Sequence, residues 1–186
     1  MKGGFSMKAK RTWFYSPVLL VLLLVACNDP SSVENIPKGI PEVPNSSLSS
    51  SAGPVSIING VTVVEITADD KMRYNLEAFT VPVGGQVKLK LVNIGKMPIA
   101  SMGHNLVILE LDVNISKFAT DAASARENDY IPLKYADEII AATKLLGPGQ
   151  SDIINFMAPL EPGEYIFLCS FPAHLYAGMR GIMTVE

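Results

Sequence analysis

Apolar and polar positions alternate along most of the chain after about Val55, in short runs separated by turn residues. The clearest run places Val87, Leu89 and Leu91 on one side and lysines on the other, which is typical of a strand with one wet face. The other runs of this kind are "VTVVEI", "EAFTVPV", "HNLVILEL", "SDIINFMA", "GEYIFLC" and "GIMTVE". Seven or eight such strands, punctuated by Gly and Pro, predict an all-β sandwich or small barrel.

One segment, from about residue 115 to residue 142, breaks this rhythm. Within it Phe118, Ala122 and Ala125 recur at helical spacing, and Ser116 is a candidate N-cap. We therefore predict a short helix inserted into an otherwise all-β domain.

The first 26 residues have the pattern of an export signal. Basic residues precede an apolar run from Pro17 to Ala26, which is too short to span a bilayer comfortably. The run ends in "LVAC", which resembles a bacterial lipobox and would make Cys27 the lipid-bearing N-terminus of an exported lipoprotein. The alternative is an ordinary secretory signal followed by an incidental cysteine.

Composition divides the rest of the chain into a tether and a domain. Residues 27–54 are rich in Pro, Ser and Asn and poor in large apolar side chains, which predicts a flexible tether ahead of a domain at residues 55–186. The formal net charge is -3, and four of the basic residues precede Cys27, so the exported part is more acidic still. This negative charge argues against nucleic acid as a partner, because domains that bind nucleic acid present a positively charged surface.

The residues that can carry chemistry cluster near the C-terminus. If Cys27 carries lipid, Cys169 is a lone thiol, and its loop "CSFPAHLYAGM" also contains His174 and Met179. Thiolate, imidazole and thioether form a soft donor set that indicates copper. The second of the two histidines, His104, stands at the start of an alternating run and can face the same end of a sandwich. We predict a blue-copper electron-transfer site with His104, His174 and Cys169 as strong ligands and Met179 as a weak axial one.

Each of these residues has a plainer interpretation when taken alone. His104 could be a satisfied core histidine, Met179 a gap filler and Cys169 a small buried hydrophobe. The conjunction of the three residue types at one loop favours a metal site instead. Copper is favoured over zinc because structural zinc prefers four strong ligands to a weak thioether.

Three motifs extend the argument along the domain: "MGHN" at 102–105, "ATKLLGPGQSD" at 142–152 and "CSFPAH" at 169–174. In this order they resemble the cupredoxins, and most closely azurin and the membrane-tethered auracyanins, over about residues 67–186. The resemblance implies a cupredoxin-type Greek-key β-sandwich of about eight strands with a short helical insertion, binding one copper ion that cycles between Cu(I) and Cu(II).

The resemblance also assigns roles to neighbours of the ligands. It implies that Gly103 offers a carbonyl from the opposite axial side, and that the side chain of Asn105 hydrogen-bonds near the ligand loop and holds it rigid. Four residues separate His174 from Met179, where azurin has three, and this spacing resembles auracyanin and plastocyanin instead. The chain also lacks the cysteines of the azurin disulfide and any histidine beyond the two ligands.

Apolar residues around the ligands suggest a docking patch. By resemblance, the ring edge of His174 emerges through such a patch and is the port for electrons, and electron-transfer encounters bury little area. The alternative is that these residues merely cap the core. The predicted patch consists of Met102, Phe171, Pro172, Ala173, Leu175 and Tyr176.

These features predict a single-electron carrier and not an enzyme, since two histidines cannot build the extra copper centres of a multicopper oxidase or nitrite reductase. Expected partners are exported redox proteins such as c-type cytochromes, respiratory or photosynthetic complexes, or copper reductases. The domain is expected in the periplasm or on the cell surface, held to a membrane through the lipid. The alternatives are a copper chaperone or storage protein, and a tethered adhesive domain with structural copper.

Overall fold

The strands of the protein lie in two sheets. The computed structural model describes residues 53–186; the predicted signal peptide, Cys27 and nearly all of the predicted tether lie outside this range. Ten strands form two five-stranded sheets, so the all-β sandwich is as predicted, with more strands than the sequence indicated.

The first sheet contains β1 Val55–Ile58, β2 Val61–Asp69, β3 Arg73–Tyr74, β5 Gln86–Asn93 and β8 Ser151–Met157. Its main order is β1-β2-β5-β8, with β3 paired to β2. Strands β2 and β5 run parallel, and the other pairs are antiparallel.

The second sheet contains β4 Ala78–Val81, β6 Val107–Leu109, β7 Ile139–Ala142, β9 Gly163–Leu168 and β10 Arg180–Val185. Its order is β4-β10-β9-β6-β7, in which only the pair β4 and β10 is parallel. The two sheets face each other across one apolar core.

The alternation read from the sequence sets which face of each strand is buried. In β5, Val87, Leu89 and Leu91 point into the core, while Gln86 and Lys88 are exposed on the other face. Strand β2 alternates in the same way along its length. Period-two patterning therefore fixes the strand register here, because a slip of one residue would expose the whole apolar row.

Strand β1 is one the sequence reading missed. Ile58 pairs with Val61 across a two-residue turn, and both turn residues, Asn59 and Gly60, have positive φ. Asn-Gly is the preferred dipeptide for such a hairpin, since both positions require the left-handed region. The dipeptide was a signal that could have found the strand.

The helical insertion forms helix α2, which follows a one-turn helix α1. Helix α1 spans Ile99–Met102 and α2 spans Ile115–Ala122. The predicted cap was wrong: the side chain of Asn114, not Ser116, accepts a hydrogen bond from Lys117 N, and Ser116 lies inside the helix. Ala125 lies beyond the helix end, and two 3-10 helices follow at Arg126–Asn128 and Leu133–Glu138.

Helix α2 covers the outer face of the second sheet. Phe118 and Tyr135 pack edge to face, with ring centroids 5.0 Å apart, against Val107, Leu109 and Leu168. The other side of β6 and β9 faces the main core, so both faces of these strands are buried. This double burial explains why "NLVILEL" reads as an almost unbroken apolar run.

The loops at one end of the sandwich hold the predicted ligands. Strand β9 ends at Leu168 and β10 begins at Arg180, so the Cys169 loop joins two adjacent antiparallel strands. His104 and its neighbours lie in a second loop, between α1 and β6, at the same end of the sandwich. No helix within residues 53–186 is long and apolar enough to cross a membrane.

Candidate metal centre

His104 lies just before β6 and not within a strand. Its backbone forms an isolated bridge with Leu146, in which His104 N donates to Leu146 O at 3.1 Å and Leu146 N donates back at 2.8 Å. The side chain of Asn93, at the end of β5, donates to the same Leu146 carbonyl at 3.0 Å. The expectation of a strand starting at His104 was therefore wrong, although its placement at the end of the sandwich holds.

The predicted ligands meet at one buried point. The side-chain donor atoms of His104, Cys169 and His174 all lie within 4.8 Å of one another, and Cys169 Sγ is 3.4 Å from His174 Nδ1. The exposed fractions of the three residues are 0%, 0% and 2%. One ion can contact all three, and water is excluded from them.

Met179 is tied to the same group through its backbone. Cys169 N donates to Met179 O at 3.1 Å, and Met179 N donates to His174 O at 3.0 Å. The Met179 side chain is fully buried in the core cluster that includes Cys169. A soft sulfur thus belongs to the same buried cluster as the thiol, which suits a weak additional contact.

Burial keeps the metal-free site neutral. It raises the pKa of Cys169 to about 12, against the opposing backbone N–H groups of Asn105 and Phe171 that hydrogen-bond to the sulfur. Burial lowers the pKa of His174 to about 4, and the pKa of His104 is also lowered by burial. The imidazoles therefore keep their lone pairs available at neutral pH, and a bound cation would displace the thiol proton.

The ring nitrogens of His104 give an independent test of a metal. Both are buried, and neither makes a hydrogen bond of ordinary geometry among the described residues. A neutral imidazole has one lone pair, so one nitrogen is available to bind an ion, while the other carries the proton and interacts with the backbone of Asp69, which opposes the lowering of the His104 pKa by burial. Two neutral imidazoles, a thiol and a thioether in a dry pocket fit copper in donor type and number.

Asn105 connects the two loops that carry the ligands. Its side-chain nitrogen donates to Ser170 Oγ at 2.7 Å and to Asp129 O at 2.8 Å, and its side-chain oxygen accepts from Ser170 N at 2.9 Å. Asn105 follows His104 and Ser170 follows Cys169 in the chain. The side chain therefore fixes the two ligands relative to each other.

Gly103 lies at the end of α1 in a crowded position. A Cβ atom there would come within 2.7 Å of Ile99 O and 3.0 Å of the Leu145 side chain. This close approach leaves no room for a side chain, so only glycine lets the backbone lie directly against Ile99 and Leu145 at the position before His104.

The predicted docking patch is smaller than the sequence indicated. Phe171 and Leu175 are only 9% and 7% exposed and belong to the core, because Phe171 packs against Tyr130 and His174 while Leu175 packs beneath α2. Met102 and Pro172 are half-buried, Ala173 is exposed and Tyr176 is 68% exposed. Met97, in the loop before α1, and Ile99, the first residue of α1, are further exposed apolar residues.

Sequence reasoning missed several residues that support the site. Tyr74 donates a hydrogen bond to Asn105 O at 2.5 Å, and Asn93 and Leu146 hold the His104 backbone. Tyr74 and Asn93 are each 31 residues or more away in the chain from the residue to which the side chain donates, so no local sequence pattern indicates these contacts.

A small β-sandwich with a buried histidine, cysteine and methionine site at one end defines a class of metal-binding protein. A family model described as copper binding proteins of the plastocyanin/azurin family matches residues 61–186. The chain belongs to this family, as predicted from its motifs, and its cofactor is one copper ion.

Individual relatives agree with this assignment. Azurin of Achromobacter denitrificans is 36% identical over 141 residues, covering 73% of this chain and 92% of that protein. Outer membrane protein H.8 of Neisseria meningitidis is 33% identical over 128 residues, covering 68% of each chain. The solved structure of dithionite-reduced auracyanin from Roseiflexus castenholzii matches with a TM-score of 0.61 and 36% identity, covering 70% of this chain and 99% of that one. These matches confirm the cupredoxin fold.

Proposed function

We propose that the protein is a single-electron carrier with a mononuclear blue-copper site. His104, Cys169 and His174 would be the strong ligands, Met179 the weak axial ligand, and the Gly103 carbonyl an additional axial contact. The observation that carries this proposal is the convergence of three buried donor atoms, from His104, Cys169 and His174, within 4.8 Å of one another.

The residues around the donors suit repeated electron transfer. Copper, when bound, supplies a one-electron couple between Cu(I) and Cu(II). The Asn105 side chain, the His104–Leu146 bridge and the backbone bonds of Met179 restrain the ligands from several directions. A site held this firmly need not rearrange when its charge changes, so the barrier to transfer stays low.

Electrons would enter and leave at the His174 side of the site. The ring of His174 is 2% exposed, so it reaches the surface only at its edge, next to exposed Ala173. Together with Tyr176, Met97 and Ile99 this surface is small and apolar, which suits brief encounters with redox proteins. Exported c-type cytochromes, respiratory or photosynthetic complexes and copper reductases are the partners we propose.

We also propose that the protein works at a membrane surface outside the cytoplasm. Residues 1–26 would be removed as a lipoprotein signal peptide, Cys27 would carry the lipid, and residues 27–54 would tether the copper domain at 55–186. The likeness to a protein named as an outer membrane protein supports a membrane location.

The copper site is tested by the visible and EPR spectra of the full-length protein and its Cys169→Ser variant after Cu(II) addition. An intense thiolate-to-copper charge-transfer band and a narrow parallel hyperfine splitting are expected in the wild type and absent from the variant. A colourless wild type with ordinary tetragonal Cu(II) signals would contradict the proposal.

A copper chaperone or store is the competing function, and the burial of the donor atoms argues against it because metal release would require the loops to open. Copper exchange with a chelator, compared with the rate of electron self-exchange, separates the two. A carrier exchanges electrons far faster than it loses copper.

A further inference from the structure

The hydroxyl of Tyr74, a residue of the first sheet, bonds to the residue that follows His104. Tyr74 is in the short strand β3, is 6% exposed, and stacks at a tilt on Phe167 with ring centroids 5.7 Å apart. Its hydroxyl donates to the backbone oxygen of Asn105 at 2.5 Å. This is a buried bond between the first sheet and the segment that carries His104.

Asn105 is the residue through which this bond can reach the thiol. Its backbone N–H opposes the rise in the pKa of the buried Cys169 thiol, and its side chain hydrogen-bonds to Ser170, the next residue after Cys169, through both its nitrogen and its oxygen. Asn105 is therefore held on one side by the Cys169 loop and on the other by Tyr74. Removing the Tyr74 hydrogen bond would leave the Asn105 backbone free to move away from the Cys169 loop.

We propose that Tyr74 is a positioning residue whose hydroxyl holds the Asn105 backbone against the Cys169 sulfur and thereby raises the reduction potential of the copper site. This inference rests on the proposed copper site and adds a residue on a different sheet to it. The hydroxyl of Tyr74 bonds to Asn105, and its pKa is raised by burial and also by a charge on Cys169, so amide exchange at Asn105 is the readout that separates action through Asn105 from a direct effect on the sulfur.

The direction of the effect follows from the charge on sulfur. An N–H that donates to the thiolate withdraws electron density from it, so the thiolate stabilises Cu(II) less and the potential is higher. If Asn105 relaxes away from the sulfur, this hydrogen bond weakens and Cu(II) is favoured. Loss of the Tyr74 hydroxyl should therefore lower the potential and shift the thiolate-to-copper band.

The test compares Tyr74→Phe with a matched control, Tyr165→Phe, in the full-length protein. Tyr165 is also buried and also donates its hydroxyl to a backbone oxygen, that of Glu161 at 2.8 Å, but it lies toward the opposite end of β9. Each variant keeps its ring and loses one hydroxyl-to-carbonyl bond. Thermal unfolding checks that both variants fold.

Three readouts are measured: the reduction potential, the charge-transfer band, and amide hydrogen exchange of the metal-free protein. We expect Tyr74→Phe to lower the potential, to shift the band and to speed exchange at Asn105 roughly two- to tenfold, the factor expected for one lost net hydrogen bond. The control should change none of these at the site, even if it lowers the unfolding temperature as much.

The inference is overturned if Tyr74→Phe leaves the potential and the band where the control leaves them, because the bond would then be merely structural. It is equally overturned if exchange at Asn105 is unchanged in the metal-free protein. If the wild type has no thiolate-to-copper band, the copper proposal itself fails, and the exchange comparison still decides whether Tyr74 holds Asn105.

Discussion

Ala173 occupies a strained position beside His174, one of the proposed ligands. Its φ is +71°, in the left-handed region that L-residues other than glycine rarely adopt. The surrounding turn holds it there, since His174 N donates to Phe171 O and Ala177 N donates to Ala173 O. The strained residue thus directly precedes His174, whose Nδ1 lies 3.4 Å from Cys169 Sγ.

Replacing Ala173 by glycine should relieve this strain. The left-handed conformation costs an alanine about 1–2 kcal/mol, and the greater freedom of glycine in the unfolded chain offsets about 0.4–1 kcal/mol of the gain. We expect Ala173→Gly to raise the free energy of unfolding of the metal-free protein by about 0.5 kcal/mol, measured by urea denaturation. Ala177→Gly, in the same loop but without positive φ, should lower it; equal losses in both variants would refute the strain argument.

The insertion between β6 and β7 is held together by a charged cluster on its outer side. Asp121 of α2 contacts Lys134 Nζ at 2.6 Å and Lys117 Nζ at 3.1 Å, and it accepts a hydrogen bond from Tyr135 at 2.8 Å. These contacts, with that of Lys134 first, hold the pKa of Asp121 well below its ordinary value. They join α2 to the second 3-10 helix, Leu133–Glu138, and both lysine ammonium groups lie over the ring of Tyr135.

The stabilisation from Asp121 should depend on pH with a defined sign. Because its folded-state pKa is depressed, its contribution is complete above the unfolded pKa of about 4 and is lost as pH falls below it. The difference in free energy of unfolding between wild type and Asp121→Asn should therefore be greatest near pH 7 and shrink below about pH 4. Asp137→Asn changes an exposed acid of the same insertion that makes no ion pair in the described chain, and serves as the control. A pH-independent difference for Asp121 would contradict the ion-pair account.

At the scale of the whole molecule, the proposed lipid anchor and the copper domain would have separate tasks. The domain closes its own core within residues 53–186, and its copper site depends on contacts within that range. The anchor would concentrate the domain at one membrane surface, where a tether of about 27 residues allows roughly 30 Å of reach if fully flexible. Location and redox chemistry should therefore be separable by mutation.

Replacing Cys27 by serine should release the protein from the membrane without affecting the metal site. We expect Cys27→Ser to move from the membrane fraction to the soluble fraction and to keep the thiolate-to-copper band. Cys169→Ser, the reciprocal change, should stay in the membrane fraction and lose the band. Retention of Cys27→Ser in the membrane would refute lipid anchoring at this position.

Short-range patterns predicted the parts of the structure that local physics sets. The alternation in β5 fixed its buried face, and the spacing of Cys169, His174 and Met179 placed three donors in one loop. Boundaries were less accurate. The cap of α2 moved from Ser116 to Asn114 because both residue types can cap, and the geometry of the turn chooses between them.

The sequence by itself determined the class of fold and the donor set, because periodicity dictates burial and because two histidines leave no choice of nitrogen ligands. Only the tertiary structure decided what surrounds the donors. Phe171 and Leu175 are apolar whether they cap the core or face a partner, so only packing assigned them to the core. The contacts of Tyr74 and Asn93 join residues far apart in the chain, and such contacts exist only once the two sheets have closed on each other.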